Sequence, residues 1–468
     1  MPLATGDGQP RHFAVFPRLD PRELVENDVD ALVRDLFQVP FARILDYLGA
    51  LERVASSGDS KTRAVADFLR AVPGLNRRNV EIAALALPHL VRPDSVRAAV
   101  DRELGDAGAG SGTRYLDEWV PLDAEVRGGA AAQVAARLAS GSPEERRARP
   151  PRLRAMPTRQ LHITAGNSVM TALVSVVRAF ATKGAAVIKT TVETAPAMTV
   201  LAHALLEADP GHPVVRHTSV AYWPGGDEGV EQPLFERSAF DRVVAWGSEA
   251  TLRSVSARAR APKLILFRPR VGMSFLGRET FRDALDHVAW RAATDVMIEN
   301  QHACTSSLVH YVEGSREEAL AYCRALQSAL RTWDDAMPAP PSRAAVGSLR
   351  RLRRGELATG AWFENVTGGA VTSAVVYASQ EVDLSTHPMC RLVIVRRVDD
   401  LQSALAYVND TVAAVGVHPE ARRVELRDAL AARGVSNVCP LGECDRAFAG
   451  IPHDGMRPLH DLVSWVAD

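Results

Sequence analysis

From about residue 160 onward, short apolar runs rich in β-branched residues alternate with segments that carry apolar residues at helical spacing. Runs of this length bounded by helices are typical of βαβ units, in which the strands are parallel and the crossovers right-handed. The pattern therefore predicts an α/β fold. Extended segments are expected at 161–165, 186–189, 213–215, 219–223, 241–246 and 263–267, with helices at 167–183, 196–207 and up to about 260.

The rest of the chain follows different patterns. Residues 1 to about 150 show mostly helical spacing. The clearest helix is predicted at 280–301, where apolar residues recur every three or four positions. Beyond it we expect strands at 307–312, 370–377 and 391–398 and a helix at 317–333, while residues 441–455 are predicted to be irregular.

Composition narrows the class of protein. The chain has 468 residues, enough for two or three domains, and a net charge of −1, which gives no global basic field for nucleic acid. Five widely spaced cysteines argue against a disulfide framework and for a reducing compartment. The first residues lack the pattern of a signal peptide, and no apolar run approaches the roughly 20 residues of a membrane span. We therefore expect a globular cytoplasmic protein with no nucleic-acid partner and no membrane span.

Cys304 is the candidate nucleophile. It directly follows the helix predicted at 280–301 and precedes an apolar strand, so a rigid element would hold its side chain. A cysteine thiolate attacks carbonyl carbon and forms a reactive thioester. The alternative is a buried, inert cysteine, the usual fate of a lone one. The polar residues at 300–302 and 305–306 argue against the middle of an apolar core.

Four candidate residues lie at or just after the ends of predicted strands, at the edge where open α/β sheets bind ligands. Asn167 is either a helix N-cap or an oxyanion donor, and Lys189 is either an exposed lysine or a phosphate or ribose contact. Gly247 allows close approach of the backbone, and Ser248 is either a phosphate contact or an ordinary N-cap. Neither G-x-G-x-x-G nor a P-loop occurs in the chain.

Two histidines are weak candidates for a general acid or base. His453 precedes Asp454, which suggests a base and its orienting carboxylate, although adjacent loop residues seldom point at each other. His302 lies two residues before Cys304, a spacing at which the ring can point elsewhere. Cys439 and Cys444 with His453 match no standard zinc spacing, so we predict no metal.

Taken together, these residues resemble the aldehyde dehydrogenase superfamily, and more closely its fatty-acyl reductase branch, the LuxC-type acyl-CoA and acyl-protein thioester reductases. The resemblance runs from about residue 155 to the C-terminus. Its order and spacing are more specific than any single motif. It is carried by Ala165-Gly166-Asn167-Ser168-Val169, Val187-Ile188-Lys189, Val244-Ala245-Trp246-Gly247-Ser248-Glu249-Ala250, Asn300-Gln301-His302-Ala303-Cys304, Cys439-Pro440-Leu441-Gly442 and Pro452-His453-Asp454-Gly455.

The resemblance implies an aldehyde-dehydrogenase-like α/β fold. Its parts would be a helical N-terminal region packed on the cofactor lobe (1–150), a Rossmann-like NAD(P)-binding lobe (151–279), a catalytic lobe (280–440) and a C-terminal tail (441–468). By motif position Cys304 would accept the acyl group, and Asn167 with the backbone N–H of Cys304 would form the oxyanion hole. Lys189 would contact the adenosine ribose or its phosphate, and Gly247-Ser248 would lie at the cofactor phosphates.

Two departures from the family pattern indicate the type of reaction and the cofactor. Hydrolytic members carry a Glu that activates the deacylating water, whereas the matching region at 264–272 contains no carboxylate. Members of the superfamily also often place a Glu three residues after the lysine, where Val192 stands here, so a 2′-phosphate meets no repulsion at that position. The neighbouring Glu193 opposes this argument. The first departure favours reduction over hydrolysis, and the second favours NADPH over NADH.

The sequence thus predicts NADPH-dependent reduction of an acyl thioester to an aldehyde through a Cys304 thioester. The acyl donor would be acyl-CoA or an acyl-carrier protein, and we expect a homo-oligomer. Two alternatives remain. One is an acid-forming NAD(P)-dependent aldehyde dehydrogenase, and the other is a non-catalytic subunit that only transfers acyl groups.

Overall fold

The described part of the N-terminal region is mostly helical, as its apolar spacing predicts. The computed structural model of the chain describes residues 3–4, 10–11, 19–71, 77–105, 111–121, 151–282, 285–339, 343–445 and 450–468. The N-terminal elements are β1 (Leu3–Ala4), β2 (Pro10–Arg11), α1 (Val29–Leu32), a π-helical turn (Val33–Phe37), α2 (Phe41–Ser56), α3 (Lys61–Ala71), α4 (Arg77–Leu90), α5 (Pro93–Leu104), α6 (Thr113–Asp117) and β3 (Val120–Pro121).

A parallel five-stranded sheet follows. Its order, β7-β6-β5-β8-β9, confirms five of the predicted strands to within two residues. The exception is 213–215, which is helical because Pro213 stands at a helix start and the His212 ring accepts the N–H of Val214. The elements are β4 (Arg152–Met156), β5 (Arg159–Ile163), α7 (Met170–Ala181), β6 (Ala185–Thr190), α8 (Ala195–Ala208), α9 (Pro213–Arg216), β7 (Thr218–Tyr222), α10 (Glu228–Phe235), β8 (Arg242–Trp246), α11 (Glu249–Arg258) and β9 (Lys263–Phe267).

The N-terminal helices and this sheet share one apolar core. Ile44 and Leu48 of α2 belong to the same buried cluster as Val176 of α7 and Ile188 of β6. Burial against the sheet layer explains why the helices carry apolar residues on one face.

A second sheet has the strand order β12-β13-β14-β11-β10-β15-β16, and its pairs are parallel except for β12 with β13. The apolar faces of its strands are buried in clusters with the flanking helices. The elements are β10 (Val271–Leu276), α12 (Leu285–Met297), β11 (Ser307–Glu313), α13 (Arg316–Ala336), α14 (Arg343–Arg354), β12 (Ala361–Thr367), β13 (Ala370–Tyr377), β14 (Leu392–Val398), α15 (Leu401–Ala404), β15 (Val412–His418), α16 (Glu420–Ala431) and β16 (Asn437–Pro440).

Beyond residue 455, where the sequence pattern predicts no element, the chain is partly regular. It contains α17 (Pro458–Leu462) and β17 (Ser464–Ala467), and β17 pairs antiparallel with β4, which also pairs with β3. By contact density one unit of the chain comprises Met1–Phe267, Phe448–Ile451 and Arg457–Asp468. The other comprises Arg268–Ala447 and Pro452–Met456. Within the described ranges, no helix is long and apolar enough to cross a membrane.

The helix predicted at 280–301 is shorter at both ends. Arg278–Phe281 forms a 3₁₀ turn, and the α-helix begins at Leu285 and ends at Met297. Residues 283–284 lie outside the described residues. The four residues Ile298–Gln301 form a further 3₁₀ turn with non-helical backbone inside it. The apolar periodicity continues through this turn because Ile298 is also buried, so the spacing alone does not show where the helix ends.

Candidate active site

Cys304 lies in the turn that joins α12 to β11. The residues just before it have left-handed backbone, with φ of 44° at Glu299, 59° at Asn300 and 67° at Gln301. Non-glycine residues in this region cost of the order of 1 kcal/mol or more each, so they persist only where the surrounding structure fixes them. The thiol is therefore presented by a strained turn and not by a regular helix end.

Side chains and neighbouring strands hold this turn. The buried Gln301 amide accepts the N–H of Leu392 at 3.0 Å and donates to its C=O at 2.6 Å, as an extra residue in the sheet would. Asn300 accepts a 2.5 Å hydrogen bond from Arg391, which also forms a buried ion pair with Asp334 at 2.5 Å. These contacts fix both the backbone before Cys304 and the start of β14.

Gly272 fixes the other side of the turn. Its N–H donates to the C=O of Ser306 at 2.9 Å, and a Cβ at this position would lie 2.3 Å from the Thr305 carbonyl oxygen. Only glycine permits so close an approach. Because β10 and β11 are parallel neighbours, Cys304 and Arg270 precede their strands at the same edge of the sheet.

His453 and Asp454 lie beside Cys304. The Cys304 sulfur, a ring nitrogen of His453 and a carboxylate oxygen of Asp454 are all within 4.8 Å of one another. They meet because residues 453–456 form a tight turn, closed by hydrogen bonds of 3.0 and 2.9 Å between the backbones of His453 and Met456. Positive φ at Asp454 (50°) and Gly455 (76°) is the signature of a type I′ turn, which an Asp-Gly pair favours.

Arg270 anchors this turn. Its guanidinium lies 3.5 Å from the Asp454 carboxylate and donates to the carbonyl oxygens of Val412 and Gly434 at 2.8 and 2.5 Å. The Arg270 side chain is 8% exposed and that of Asp454 11%, so the pair is largely shielded from water. Arg270 thus holds the turn against the edge of the second sheet.

The surroundings of Cys304 favour the protonated thiol. Burial raises its pKa to about 12, and the negative charges of Asp454 and Glu299 act in the same direction. The positive charge of Arg270 acts against them but does not prevail. At neutral pH the resting sulfur is therefore a thiol, and a nucleophilic role requires a proton acceptor.

The first sheet has a strand order that creates a ligand-binding edge in open α/β folds. The chain runs from β5 to β6 and β7 on one side, then crosses to β8 and β9 on the other. The connections after β5 and β8 thus diverge, which is the topological switch point where open α/β sheets bind ligands. Asn167 follows β5, Lys189 is near the end of β6, and Gly247-Ser248 follows β8. All four predicted cofactor and oxyanion residues of this unit lie at one sheet edge.

Asn167 does not act as the helix cap considered from sequence. Helix α7 begins at Met170, whose N–H donates to the Ser168 hydroxyl at 3.1 Å, and Asn167 is exposed. Ser168 therefore provides the polar atom at this helix start.

Lys189 and Ser248 both contact other residues of the protein. From the sequence alone, such residues could not be told apart from residues that contact a ligand. Lys189 is 7% exposed, its ammonium lies 5.5 Å above the Trp223 ring, and burial lowers its pKa. Ser248 caps α11 by accepting the N–H of Thr251 at 3.2 Å, as an ordinary N-cap serine does. Gly247 has a φ of 153° and lies at the start of this cap.

The chemistry of this edge fits a nicotinamide dinucleotide. A shielded lysine, a glycine turn opening a ten-residue helix and a switch point are the features that bind such cofactors in doubly wound folds. A cofactor here would be held by Lys189, Gly247 and Ser248.

Cys304 stays the predicted nucleophile, and the structure shows which side chains surround it. From the sequence, His453 and Asp454 are considered as a base and its orienting carboxylate, whereas Arg270 is considered only as part of the stretch at 264–272. The Asp-Gly pair was the available signal, because it predicts a tight turn that brings residues 453 and 456 together. His302, the other weak base, is exposed. Cys439 and Cys444 are buried with their sulfurs 2.9 Å apart, and His453 groups instead with Cys304 and Asp454.

Solved structures identify the fold. The chain is similar to the NADP-dependent glyceraldehyde-3-phosphate dehydrogenase of Bacillus halodurans in complex with NADP, with a TM-score of 0.67 and 13% identity over 97% of this chain and 92% of that one. It is also similar to aldehyde dehydrogenase 21 of Physcomitrella patens, with a TM-score of 0.65 and 13% identity over 96% and 91% of the two chains. The protein therefore has the aldehyde dehydrogenase fold, as its motifs predicted.

Sequence comparison then gives the family. The model of the acyl-CoA reductase family LuxC matches residues 151–465, and the chain belongs to this family of oxidoreductases. The long-chain acyl-protein thioester reductase of Photorhabdus laumondii is 26% identical over 387 residues, which cover 79% of this chain and 69% of that protein. The enzyme of the same name from Vibrio harveyi is 25% identical over 319 residues, covering 67% and 65%. The matches thus span about two thirds of these relatives.

Proposed function

We propose that this chain reduces an acyl thioester, carried by CoA or by a carrier protein, to an aldehyde through an acyl group on Cys304, with NADPH as the reductant. The observation that supports the reaction most directly is that the positive charge of Arg270 acts on the Cys304 sulfur. Arg270 belongs to the stretch in which hydrolytic aldehyde dehydrogenases carry their water-activating Glu. A guanidinium cannot accept a proton from water, so this position offers no hydrolytic base.

Each predicted residue has a role in this proposal. Cys304 attacks the thioester carbonyl and carries the acyl group. Asn167 and the backbone N–H of Cys304 stabilise the negative charge that develops on the carbonyl oxygen. Lys189, Gly247 and Ser248 hold the dinucleotide. When bound, the reduced nicotinamide supplies a hydride to the acyl carbon.

The names of the relatives support an acyl group as the substrate. The proteins from Photorhabdus laumondii and Vibrio harveyi are named for long-chain acyl-protein thioesters, and the family model is named for acyl-CoA. We propose that the chain accepts either donor because the proposed nucleophile attacks the same thioester carbonyl in both.

The first test replaces the nucleophile. In Cys304→Ala we expect acyl-CoA-dependent NADPH oxidation to disappear, because no sulfur remains to carry the acyl group, while NADPH binding measured by nucleotide fluorescence persists. Intact-mass spectrometry of the wild type with acyl-CoA of several lengths should show one acyl adduct at Cys304. Cys390→Ala is the matched control and should keep the adduct. Full activity in Cys304→Ala would overturn the proposal.

The two alternatives predict different products from the same preparations. An acid-forming dehydrogenase would produce NAD(P)H from an aldehyde without added CoA. A non-catalytic acyl-transfer subunit would carry the adduct on Cys304, but added NADPH would not discharge it. Release of the aldehyde from the acylated wild type upon NADPH addition separates the proposed reductase from both.

A further inference from the structure

The turn at residues 453–456 places an imidazole beside the thiol that the proposed function requires to react. We propose that His453 is the general base that removes the proton from Cys304 during acylation, and that Asp454 is a positioning residue that stabilises the imidazolium formed. This inference rests on the proposed function for its substrate, but it concerns only the acylation half-reaction, which requires no cofactor.

The fold brings His453 and Asp454 together next to Cys304. A His453 ring nitrogen, the Cys304 sulfur and an Asp454 oxygen lie within 4.8 Å of one another, so a small side-chain movement would bring the imidazole within hydrogen-bond reach of the sulfur. The type I′ turn fixes the backbone of both residues, and Arg270 ties Asp454 to the sheet edge that carries Cys304. Both turns are thus fixed by hydrogen bonds, the one before Cys304 and the one that carries His453 and Asp454.

The thiol needs such a base. With its pKa raised to about 12, the thiol stays almost entirely protonated at pH 7 without assistance. Burial is the main cause, and Asp454 and Glu299 add to it. General base catalysis removes this penalty because the proton leaves as the carbon–sulfur bond forms.

Among the charged and titratable groups that act on the sulfur, His453 is the suitable acceptor. Arg270 stays protonated, so it cannot accept a proton. Asp454 and Glu299 are carboxylates, which are weaker bases than imidazole. Imidazole also releases a proton readily, as the second half of acylation requires.

The step balances within these groups. The His453 nitrogen takes the proton from the Cys304 sulfur as that sulfur bonds to the carbonyl carbon of the acyl thioester. The carbon–sulfur bond to the leaving thiol then breaks with its electron pair, and the imidazolium returns the proton to the departing sulfur. The products are acylated Cys304, free thiol and neutral His453, with no net change in charge or oxidation state.

The test measures acylation without nucleotide. Wild type, His453→Gln and the control His302→Gln are mixed with acyl-CoA, and the rate of Cys304 adduct formation is followed by intact mass from pH 6 to 10. In His453→Gln we expect a loss of about 10²- to 10⁴-fold at pH 7. Its rate should rise about tenfold per pH unit, because only the thiolate reacts below a thiol pKa of about 12. His302→Gln should match the wild type.

Chemical rescue distinguishes a base from a structural role. Imidazole added to His453→Ala should restore acylation in proportion to the concentration of its neutral form. In Asp454→Asn, which keeps a residue that tolerates positive φ, acylation at pH 7 should fall while alkylation by iodoacetamide at pH 9 rises, because a charge that raises the thiol pKa is gone. A general loss of folding would lower both.

The outcomes separate this inference from the proposed function. A wild type that forms no Cys304 adduct would contradict the proposed function itself. An adduct that forms in His453→Gln with the wild-type rate and pH profile would overturn the role of His453 alone. The three groups are also close enough to bind a cation together, so loss of wild-type acylation after dialysis against a chelator would likewise overturn the proton-transfer role.

Discussion

Glu193 places a carboxylate near the strand end that carries Lys189. Its Oε2 would lie 3.1 Å from a Cβ at position 166, and its charge acts on the buried ammonium of Lys189. A carboxylate here opposes a 2′-phosphate and favours a ribose hydroxyl. We expect Glu193→Gln to raise the ratio of kcat/KM with NADPH to that with NADH by about 3- to 10-fold, a modest effect because the side chain is exposed.

Steady-state kinetics with both nucleotides measure this ratio. The control is Glu118→Gln, which should leave the ratio unchanged. Glu118 is an exposed carboxylate of the same unit and pairs with Arg114. An unaltered ratio in Glu193→Gln would place the ribose away from this carboxylate.

At the scale of single residues, the sequence was most informative where a chemical group has few ordinary uses. Cys304 fits that description, because a polar setting is unusual for a structural cysteine. Asn167 and Ser168 show the opposite case, since either side chain could cap the helix and only the backbone path shows that Ser168 contacts Met170. Arg270 carried no signal, since an arginine beside a proline is typical of an exposed loop.

The helix that leads to Cys304 is anchored through a buried carboxylate. Asp295 of α12 is 0% exposed and accepts the N–H groups of Gly442 and Cys444 at 2.7 and 3.0 Å. Burial nevertheless raises its pKa to about 6, so the folded protein binds a proton that the unfolded chain releases near pH 3.8. The stabilisation from this protonated group is complete below about pH 3.8 and is lost as the pH rises through about 6.

Asp295→Asn should remove this pH dependence, because an amide does not titrate. We expect the free energy of unfolding of the wild type, relative to the variant, to decrease by about 2.5 kcal/mol between pH 4 and pH 7, from the two-unit shift. Urea unfolding at several pH values measures the difference. The control is Asp286→Asn, at the exposed start of the same helix, for which we expect a difference in unfolding free energy that does not vary with pH. The same result for Asp295→Asn would show that the Asp295 carboxylate stays charged throughout.

At the scale of elements, strands with a continuous apolar run were predictable, including β13 and β14, whereas strands without one were not. The five strands of the first sheet follow the alternation of apolar runs and helices, which a parallel sheet requires. Strand β15 was missed because its residues Val412–His418 contain two alanines and a glycine and give no strong apolar run. The end of α12 was missed because the turn before Cys304 is fixed by Gln301 and Arg391, which are contacts made across the fold and not along the sequence.

At the scale of the whole molecule, the fold brings the candidate residues from the family motifs together in two groups. Asn167, Lys189 and Gly247-Ser248 are far apart in sequence but follow strands of one parallel sheet. Cys304, Arg270 and His453 belong to the other unit, where β10, β11 and the turn at 453–456 bring them together. Parallel topology makes the first grouping predictable from the strand order, whereas the second depends on a turn close to the end of the sequence.

The fate of the acyl group tests the molecule as a whole. Because Arg270 stands in the stretch that matches the catalytic Glu of hydrolytic dehydrogenases, we expect acylated wild type without nucleotide to release fatty acid slowly. Addition of NADPH should discharge the same adduct as aldehyde at least tenfold faster, a difference of about 1.4 kcal/mol in activation free energy. Rapid quenching followed by separation of acid and aldehyde measures both rates. Fatty acid as the main product in the presence of NADPH would show that water reaches the thioester despite the missing carboxylate, and the site would then have to be understood as hydrolytic.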